Sequence, residues 1–220
     1  MLLRYCVPVC CLMLAAQLLP AQRLTQGVLR YTCTDNTLPG AQPGDGSLEV
    51  YWDAGHIRWD FALLGGNARL QVQWDEDPGT PLTILQLGDS AYSLQQLPLE
   101  WPQVLQLERT TPKKAGKKML AGLPCRQYMH PAENGDSLSA CMCDKVVIPV
   151  RLLPKNFQDG WSGWPLEWTI ARGDGRMTYS AQFLTRKVDA SVFSSPSLFR
   201  EVSPAEFQSL LASYLQVHNP

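Results

Sequence analysis

The sequence is poor in the side chains and motifs on which most catalysis depends. Histidine occurs only at His56, His130 and His218 among 220 residues, and neither a phosphate-binding glycine loop nor an H-E-x-x-H motif is present. The stretch from Gly160 to Trp164 resembles a nucleophile elbow, but Trp164 stands where that motif requires glycine. The sequence therefore predicts a protein that is not an enzyme and that holds no metal or cofactor.

A strong charge of either sign is also missing. The formal net charge is −1, so the sequence lacks the basic footprint that nucleic-acid binding requires. The one concentrated basic run consists of Lys113, Lys114, Lys117 and Lys118, between two strand-like stretches. We predict a solvated loop there, with an anion or headgroup site as the alternative.

The apolar run near the start of the chain, Val7–Leu19, is too short to span a membrane comfortably. Arg4 precedes it and Pro20-Ala21-Gln22 follows it, which is the organisation of an export signal. We predict that residues 1–22 are removed on export to the periplasm or the cell exterior. Residues 23–220 are then expected to form a single domain.

Four cysteines follow the predicted signal, and none of them belongs to a C-x-x-C pair: Cys33, Cys125, Cys141 and Cys143. A four-cysteine zinc site is therefore disfavoured, whereas an even number of cysteines in an exported chain favours two disulfides. The stretch from Gly122 to Lys145 is typical of a hairpin that places Cys125 opposite Cys141, with Cys143 one diagonal step away. We expect Cys125 to bond Cys141 or Cys143, and Cys33 to bond the remaining one.

From Gly27 to Phe183 the apolar residues recur at every second position, which is the period of a β-strand. One such row is formed by Met177, Tyr179, Ala181 and Phe183. Strands with one apolar face and short turns predict an antiparallel meander. The predicted strands, or their apolar rows, are Gly27–Thr34, Leu48–Trp52, Ile57–Leu63, Leu70–Trp74, Leu82–Leu87, Ala91–Gln96, Pro165–Ala171 and Arg176–Val188.

A single helix is indicated, near the C-terminus. Ser203-Pro204-Ala205-Glu206 is a capping box, and Phe207, Leu210, Leu211 and Tyr214 follow at helical spacing. A helix of about 15 residues is about 22 Å long, whereas about eight strands make a sheet about 35–40 Å wide. Because the helix cannot cover that sheet, we predict an α+β fold, mostly antiparallel β, in which the sheet curls into a half-barrel around its own apolar face.

Five stretches of the sequence match short motifs of one known group of proteins: Gly27–Tyr31, Val50–Trp59, Ala121–Tyr128 (similar to I-x-G-y-x-C-x-x-Y), Gly163–Glu167 (similar to G-x-P-L-E) and Phe193–Pro196 (similar to F-x-x-P). Through them the sequence resembles the bacterial envelope superfamily of the lipoprotein carrier LolA, and is most similar to a Bacteroidota-type exported domain of unknown function within it. The resemblance implies an unclosed β half-barrel with a helical lid, and carriage of acyl chains or lipoproteins.

The aromatic residues suggest what such a half-barrel could hold. Apolar ligand sites are lined mainly by hydrophobic and aromatic side chains, and rings on the predicted apolar face either line such a site or fill the core. The residues that we predict to line an apolar ligand are Trp59, Phe61, Trp74, Tyr92, Trp168 and Phe183, and Trp161 and Trp164 are predicted to lie at its rim.

Two functions follow from this reasoning. The first is an exported binding or carrier module, a monomer that shelters an acyl chain, a lipid or a lipoprotein in its curled sheet. The alternative is a non-enzymatic envelope scaffold with a filled core, whose exposed loops bind a protein partner. No nucleic-acid partner is expected in either case.

Overall fold

The computed structural model describes residues 23–35, 46–63, 68–75, 81–95, 113–131, 137–148, 163–172, 175–194 and 199–218. The predicted export signal, Trp101 and Trp161 lie outside these residues. Within the described residues, no helix is long and apolar enough to cross a membrane.

Besides a short 3-10 helix at Ala190–Phe193, the described structure contains twelve strands and one α-helix. They are β1 (Gly27–Asp35), β2 (Gly46–Trp52), β3 (His56–Leu63), β4 (Ala68–Asp75), β5 (Leu82–Leu87), β6 (Ser90–Leu94), β7 (Lys113–Leu120), β8 (Leu123–Pro131), β9 (Ser137–Cys143), β10 (Trp164–Arg172), β11 (Gly175–Thr185), β12 (Arg200–Glu201) and α1 (Pro204–His218).

All twelve strands belong to one sheet, in the order β12-β6-β5-β4-β3-β2-β1-β11-β10-β9-β8-β7. The first strand lies in the middle, between β2 and β11. The pairings are antiparallel except for the short parallel contact of β12 with β6. Because β12 and β7 are opposite ends of this order, the sheet is open, as the sequence predicts.

Alternation along the strands sorts the side chains onto an apolar face and a polar face. Leu29, Val50, Trp59 and Val72 are direct cross-strand neighbours on β1 to β4, and all four are buried. Arg30, the chain neighbour of Leu29, is exposed on the other face. The predicted two-residue period is confirmed for these strands.

The sheet curls strongly around its apolar face. Trp59 on β3 and Trp164 on β10 are four strand spacings apart in the sheet, about 19 Å if it were flat. Their ring centroids are nevertheless 5.5 Å apart. Only a curled sheet brings these two side chains together, so the predicted half-barrel is confirmed.

Helix α1 begins where the capping box predicts. The Oγ of Ser203 accepts a hydrogen bond from the backbone N–H of Glu206 at 3.3 Å, and Phe207 is buried. The helix packs against β5 and β6, while Leu210 and Leu211 pack against the core and stay half-exposed. It therefore covers the outer strands at one end of the sheet, in keeping with its limited length.

The prediction of a loop at Lys113–Lys118 is wrong, because these residues belong to strand β7. This strand is at the edge of the sheet, and residues 113–117 are exposed. Lysine is common on edge strands since its charge discourages pairing with other chains. The chain turns into β8 at Ala121 and Gly122, whose φ angles are +47° and +73°, as a two-residue hairpin turn requires.

We predict that Ala121→Asn raises the free energy of unfolding by about 0.5–1 kcal/mol, because asparagine tolerates a positive φ better than alanine. Urea denaturation measures the effect. Gly122→Ala is the matched opposite change: a Cβ at Gly122 meets no atom within 4 Å, so its cost of about 1 kcal/mol comes from the backbone alone. Equal stabilities of the three proteins would contradict this account of the turn.

Candidate functional site

The centre of the apolar face is filled by aromatic rings that contact one another. Trp168 lies between Tyr31, whose centroid is 5.1 Å away in an edge-on arrangement, and Tyr179, which stacks on it at 4.9 Å. Trp59 and Trp164 contact each other across the concave side of the curled sheet, here called the trough. All five rings are buried. This cluster, the aromatic centre, resembles a packed core rather than an empty cavity.

Tyr31 is the polar link of the aromatic centre. Its hydroxyl donates to the backbone oxygen of Pro165 at 2.8 Å and accepts a hydrogen bond from the Nε1 of Trp164 at 2.7 Å. Burial raises the pKa of the Tyr31 phenol well above its usual value, although the hydrogen bond from Trp164 opposes this effect. Tyr31 therefore joins β1 to β10 as a neutral phenol.

The residues predicted to line a ligand are not gathered at one site. Trp59, Phe61 and Trp168 are buried in the core. Trp74 and Tyr92 pack against the same core but are half-exposed. The structure therefore divides these predicted residues between a filled centre and a partly open outer region.

Phe183 lies on the opposite face from the one predicted. In the pairing of β1 with β11, Arg30 is opposite Phe183 and Tyr31 is opposite Ala181, so Gln182 is an extra residue in β11. A bulge of this kind reverses the alternation beyond it, and Phe183 is consequently 55% exposed. Leu184 packs against the core in its place.

The prediction that Trp164 lies at a rim is also wrong. Trp164 starts β10, directly opposite Cys143, and is 2% exposed. Its buried N–H is satisfied by Tyr31, which removes the usual reason for a tryptophan to sit near solvent. Gly163 precedes it with φ +97°, and a Cβ there would be 2.4 Å from the backbone oxygen of Cys143, so only glycine fits this approach.

The partly open region, here called the outer strip, consists of half-exposed apolar side chains on β5, β6 and α1, which pack against one another: Leu87, Tyr92, Leu210 and Leu211. Tyr92 lies on β6, opposite the buried Leu85 of β5. The guanidinium of Arg200 stacks over the Tyr92 ring, 5.1 Å from its centroid, and Arg200 also pairs with Glu206 at 2.7 Å. These contacts link the start of the helix to the outermost strands.

Only part of the predicted disulfide arrangement is present. Cys125 bonds Cys141, with their Cα atoms 5.4 Å apart. The register places Cys141 opposite Gln127, so the bond runs diagonally, and Cys143 rather than Cys141 falls opposite Cys125. The hairpin is therefore confirmed, and its predicted register is displaced by two residues.

No disulfide joins Cys33 to Cys143 in the described chain, so the predicted second bond is not formed. Strands β11 and β10 separate β1 from β9, a distance of about 14 Å along the sheet. The row of cross-strand partners that starts at Cys33 continues with Tyr179 on β11 and Trp168 on β10 and ends at Ala140 on β9, so Cys143 does not lie in the same row. Disulfide formation requires Cα atoms within about 7 Å.

A strap on the polar face is a feature that the sequence analysis missed. The chain after β11 crosses β3 and β4, where Arg58 donates to the backbone oxygen of Val192 and Gln73 donates to that of Phe193 at 2.6 Å. Arg58 is held in turn by two hydrogen bonds to Asp60, each 2.7 Å long. The sequence feature that could have indicated this strap is the Arg58-x-Asp60 spacing, which places both side chains on the same face of β3.

The histidines do not build a reactive site in the described structure. His56 contacts Asp53 at 2.9 Å and stacks on Phe193 with centroids 4.9 Å apart, so it supports the strap. The side chains of His130 and His218 lie outside the described residues. Among the described residues, no group of three or more histidine, cysteine or carboxylate side chains could hold a metal ion.

No protein-family model matches the chain, and no curated protein matches it. Among solved structures, PNGF-II superposes with a TM-score of 0.48 and 8% identity, covering 86% of this chain and 33% of that one. MucB in complex with MucA(peri) gives a TM-score of 0.37 and 12% identity, with coverages of 83% and 58%. The Mycobacterium tuberculosis lipoprotein LppX gives 0.32 and 12%, with coverages of 76% and 89%. The chain thus spans less than two thirds of the length of PNGF-II and of MucB.

We predict that Tyr31→Phe lowers the free energy of unfolding by about 1–3 kcal/mol, because it leaves the buried N–H of Trp164 and the oxygen of Pro165 without their partner. Tyr92→Phe is the matched control, since Tyr92 is half-exposed and should change stability by less than about 0.5 kcal/mol. Urea denaturation of both variants measures the difference. Similar values would show that the hydroxyl of Tyr31 does not link β1 to β10.

We also predict that the free energy of unfolding decreases above about pH 9. Burial raises the pKa of the Cys143 thiol, with hydrogen bonds from Lys145 and Val146 opposing it, and it raises that of Tyr31. Each group ionises first in the unfolded chain, so rising pH stabilises the unfolded state by up to about 1.4 kcal/mol per pH unit per group. The free energy of unfolding, measured by urea denaturation at several pH values from 7 to 11, should fall less steeply with pH in Cys143→Ala and in Tyr31→Phe than in the unaltered chain. An unchanged slope in both variants would contradict this.

Proposed function

We propose that the protein is a non-catalytic, exported binding module that holds an apolar ligand, such as an acyl chain, between helix α1 and the outer strands β5 and β6. The observation that carries this proposal is the outer strip, in which Leu87, Tyr92, Leu210 and Leu211 are apolar yet only half-buried. Covering such surface contributes about 25 cal/mol per Å² before the costs of association.

The aromatic centre does not serve this purpose well. A ligand there would have to separate rings that already contact one another at 4.9–5.5 Å. It would also have to break the hydrogen bonds of Tyr31. Binding of a ligand to the outer strip requires no such rearrangement, because the side chains of the strip are already partly exposed to solvent.

The attachment of α1 suits a lid. Phe207 and Val202 are buried near the start of the helix, and Val202 donates its backbone N–H to Ser93 on β6 at 3.0 Å. Leu210 and Leu211, further along, are less buried. The helix can therefore tilt about its N-terminal end to admit an elongated chain while the sheet stays intact.

A second candidate is the filled-core scaffold that binds a protein partner. The close packing of Trp59, Trp164, Trp168, Tyr31 and Tyr179 favours it, since a rigid core needs no ligand for stability. The two candidates differ in whether the outer strip takes up an apolar molecule. An uptake measurement therefore separates them.

We predict that the mature chain, purified without detergent, binds the fluorescent fatty acid cis-parinaric acid, and that Tyr92→Ala weakens this binding about tenfold because apolar contact area is lost from the outer strip. Fluorescence titration gives the two dissociation constants. Mass spectrometry of an organic extract would identify any lipid retained from the cell.

Phe183→Ala is the matched control, because it removes an aromatic ring that is 55% exposed on the other face, and it should bind as the unaltered chain does. Trp168→Ala should instead lose about 3–5 kcal/mol of stability. Absence of uptake by the folded, lipid-free protein would reject the binding module in favour of the scaffold. Equal weakening by Tyr92→Ala and Phe183→Ala would reject the outer strip as the site.

A further inference from the structure

The edge strand β7 has features that suit it to pair with another chain. It is eight residues long and stands last in the sheet order, and its inner side pairs with β8. In the described part of the chain, no strand pairs with its outer side, although the curl of the sheet brings part of β7 close to β11. The opposite edge differs, because β6 is covered there by β12.

The pairing with β8 shows which backbone groups of β7 point outward. Leu120 and Leu123 flank the two-residue turn and so form a hydrogen-bonded pair. Between the turn and the bulge at Ala115, every second residue of β7 then bonds β8, and the alternate residues, Met119 and Lys117, direct N–H and C=O away from it. Pro124, opposite Met119, agrees with this register because that pair exchanges no hydrogen bonds.

The charge along this edge is positive and uncompensated. Lys113, Lys114 and Lys117 are exposed, and no ion pair to them is seen in the described residues. Lys118 differs: its Nζ contacts both carboxylate oxygens of Glu167 at 2.6 and 2.7 Å. That salt bridge connects β7 to β10 and fixes the position of β7. The remaining lysines are therefore exposed on an ordered edge strand.

We propose that β7 binds an extended acidic peptide segment of a partner protein as an additional strand. The outward N–H and C=O groups of Lys117 and Met119 supply main-chain hydrogen bonds, and the lysines select an acidic segment. The same lysines repel a second β7 edge, so the strand is protected from self-pairing while it stays open to a partner of opposite charge. This surface is separate from the outer strip and does not depend on an apolar ligand.

The test uses the full mature chain and a fluorescein-labelled, acetylated octapeptide in which threonine and glutamate alternate. Fluorescence anisotropy should show binding that weakens as salt rises. The same peptide with lysine in place of glutamate should not bind. A third peptide, with the acidic sequence but N-methylated at alternate amides, should bind about tenfold more weakly, because it cannot complete the main-chain pairing.

Two protein variants address the same two contributions. Met119→Pro removes one outward N–H without touching the bonds to β8 and should weaken binding about fivefold or more, while Lys117→Glu should weaken it by a similar factor through charge. Arg69→Glu, at an exposed position on β4, is the matched charge control and should leave binding unchanged. Uptake of cis-parinaric acid should be the same in all three variants.

Several results would overturn the proposal. Equal binding of the N-methylated peptide would show that no strand is added, and this holds even if Met119→Pro fails to fold. Weakening by Arg69→Glu as strong as that by Lys117→Glu would show general electrostatics. Binding to phosphatidylglycerol vesicles but not to the acidic peptide would assign the lysines to a membrane surface. Absence of peptide binding, together with aggregation of Lys117→Glu, would leave β7 a protective edge only.

Discussion

The meeting of Trp59 and Trp164 across the trough is the constraint on which the rest of the structure depends. These rings belong to strands four positions apart in the sheet, and their contact sets how tightly the sheet curls. Once the curl is set, Tyr31 reaches from β1 to the backbone of β10, and the remaining rings have no room to separate. Because helix α1 packs against β5 and β6 at one end of the sheet, the rest of this wide apolar face is covered by the curl of the sheet itself.

This curvature also decides where a ligand could be accommodated. The middle of the sheet is tightly packed by its own rings, whereas the outer strands β5 and β6 are covered by a short helix. Half-exposed apolar groups therefore collect where Tyr92 and Leu211 lie, not where the largest rings are. The sequence showed which residues were aromatic and apolar, but the division into a filled centre and an outer strip follows from the radius of curvature, which a pattern of alternating residues does not contain.

Period-two alternation predicted the strands well, because each side chain's face follows from the one before it. The prediction failed beyond bulges, where one extra residue resets the order. Gln182 is such a residue in β11, and it turns Phe183 outward. Leu166 is another, in β10. Local sequence does not mark either bulge, since each depends on how two distant strands meet. The diagonal bond from Cys125 to Cys141 has the same origin: the register is set by the whole hairpin, so counting from the turn misplaced it by two residues.

An open sheet must also manage two edges, and this chain treats them differently. At β6 the backbone is paired with β12, and the segment that delivers β12 is fastened by Arg58 and Gln73 to the polar face. At β7 no strand of the described chain pairs with the outer side, which carries exposed lysines and the bulge at Ala115. A covered edge excludes every partner, whereas a charged edge excludes only partners of like charge. Strand β7 is also held in place by the salt bridge from Lys118 to Glu167. Binding of a partner strand would therefore cost less conformational entropy than binding to a frayed edge, because β7 is already ordered. The different treatment of the two edges therefore follows from the order of the strands and does not depend on a ligand at the outer strip.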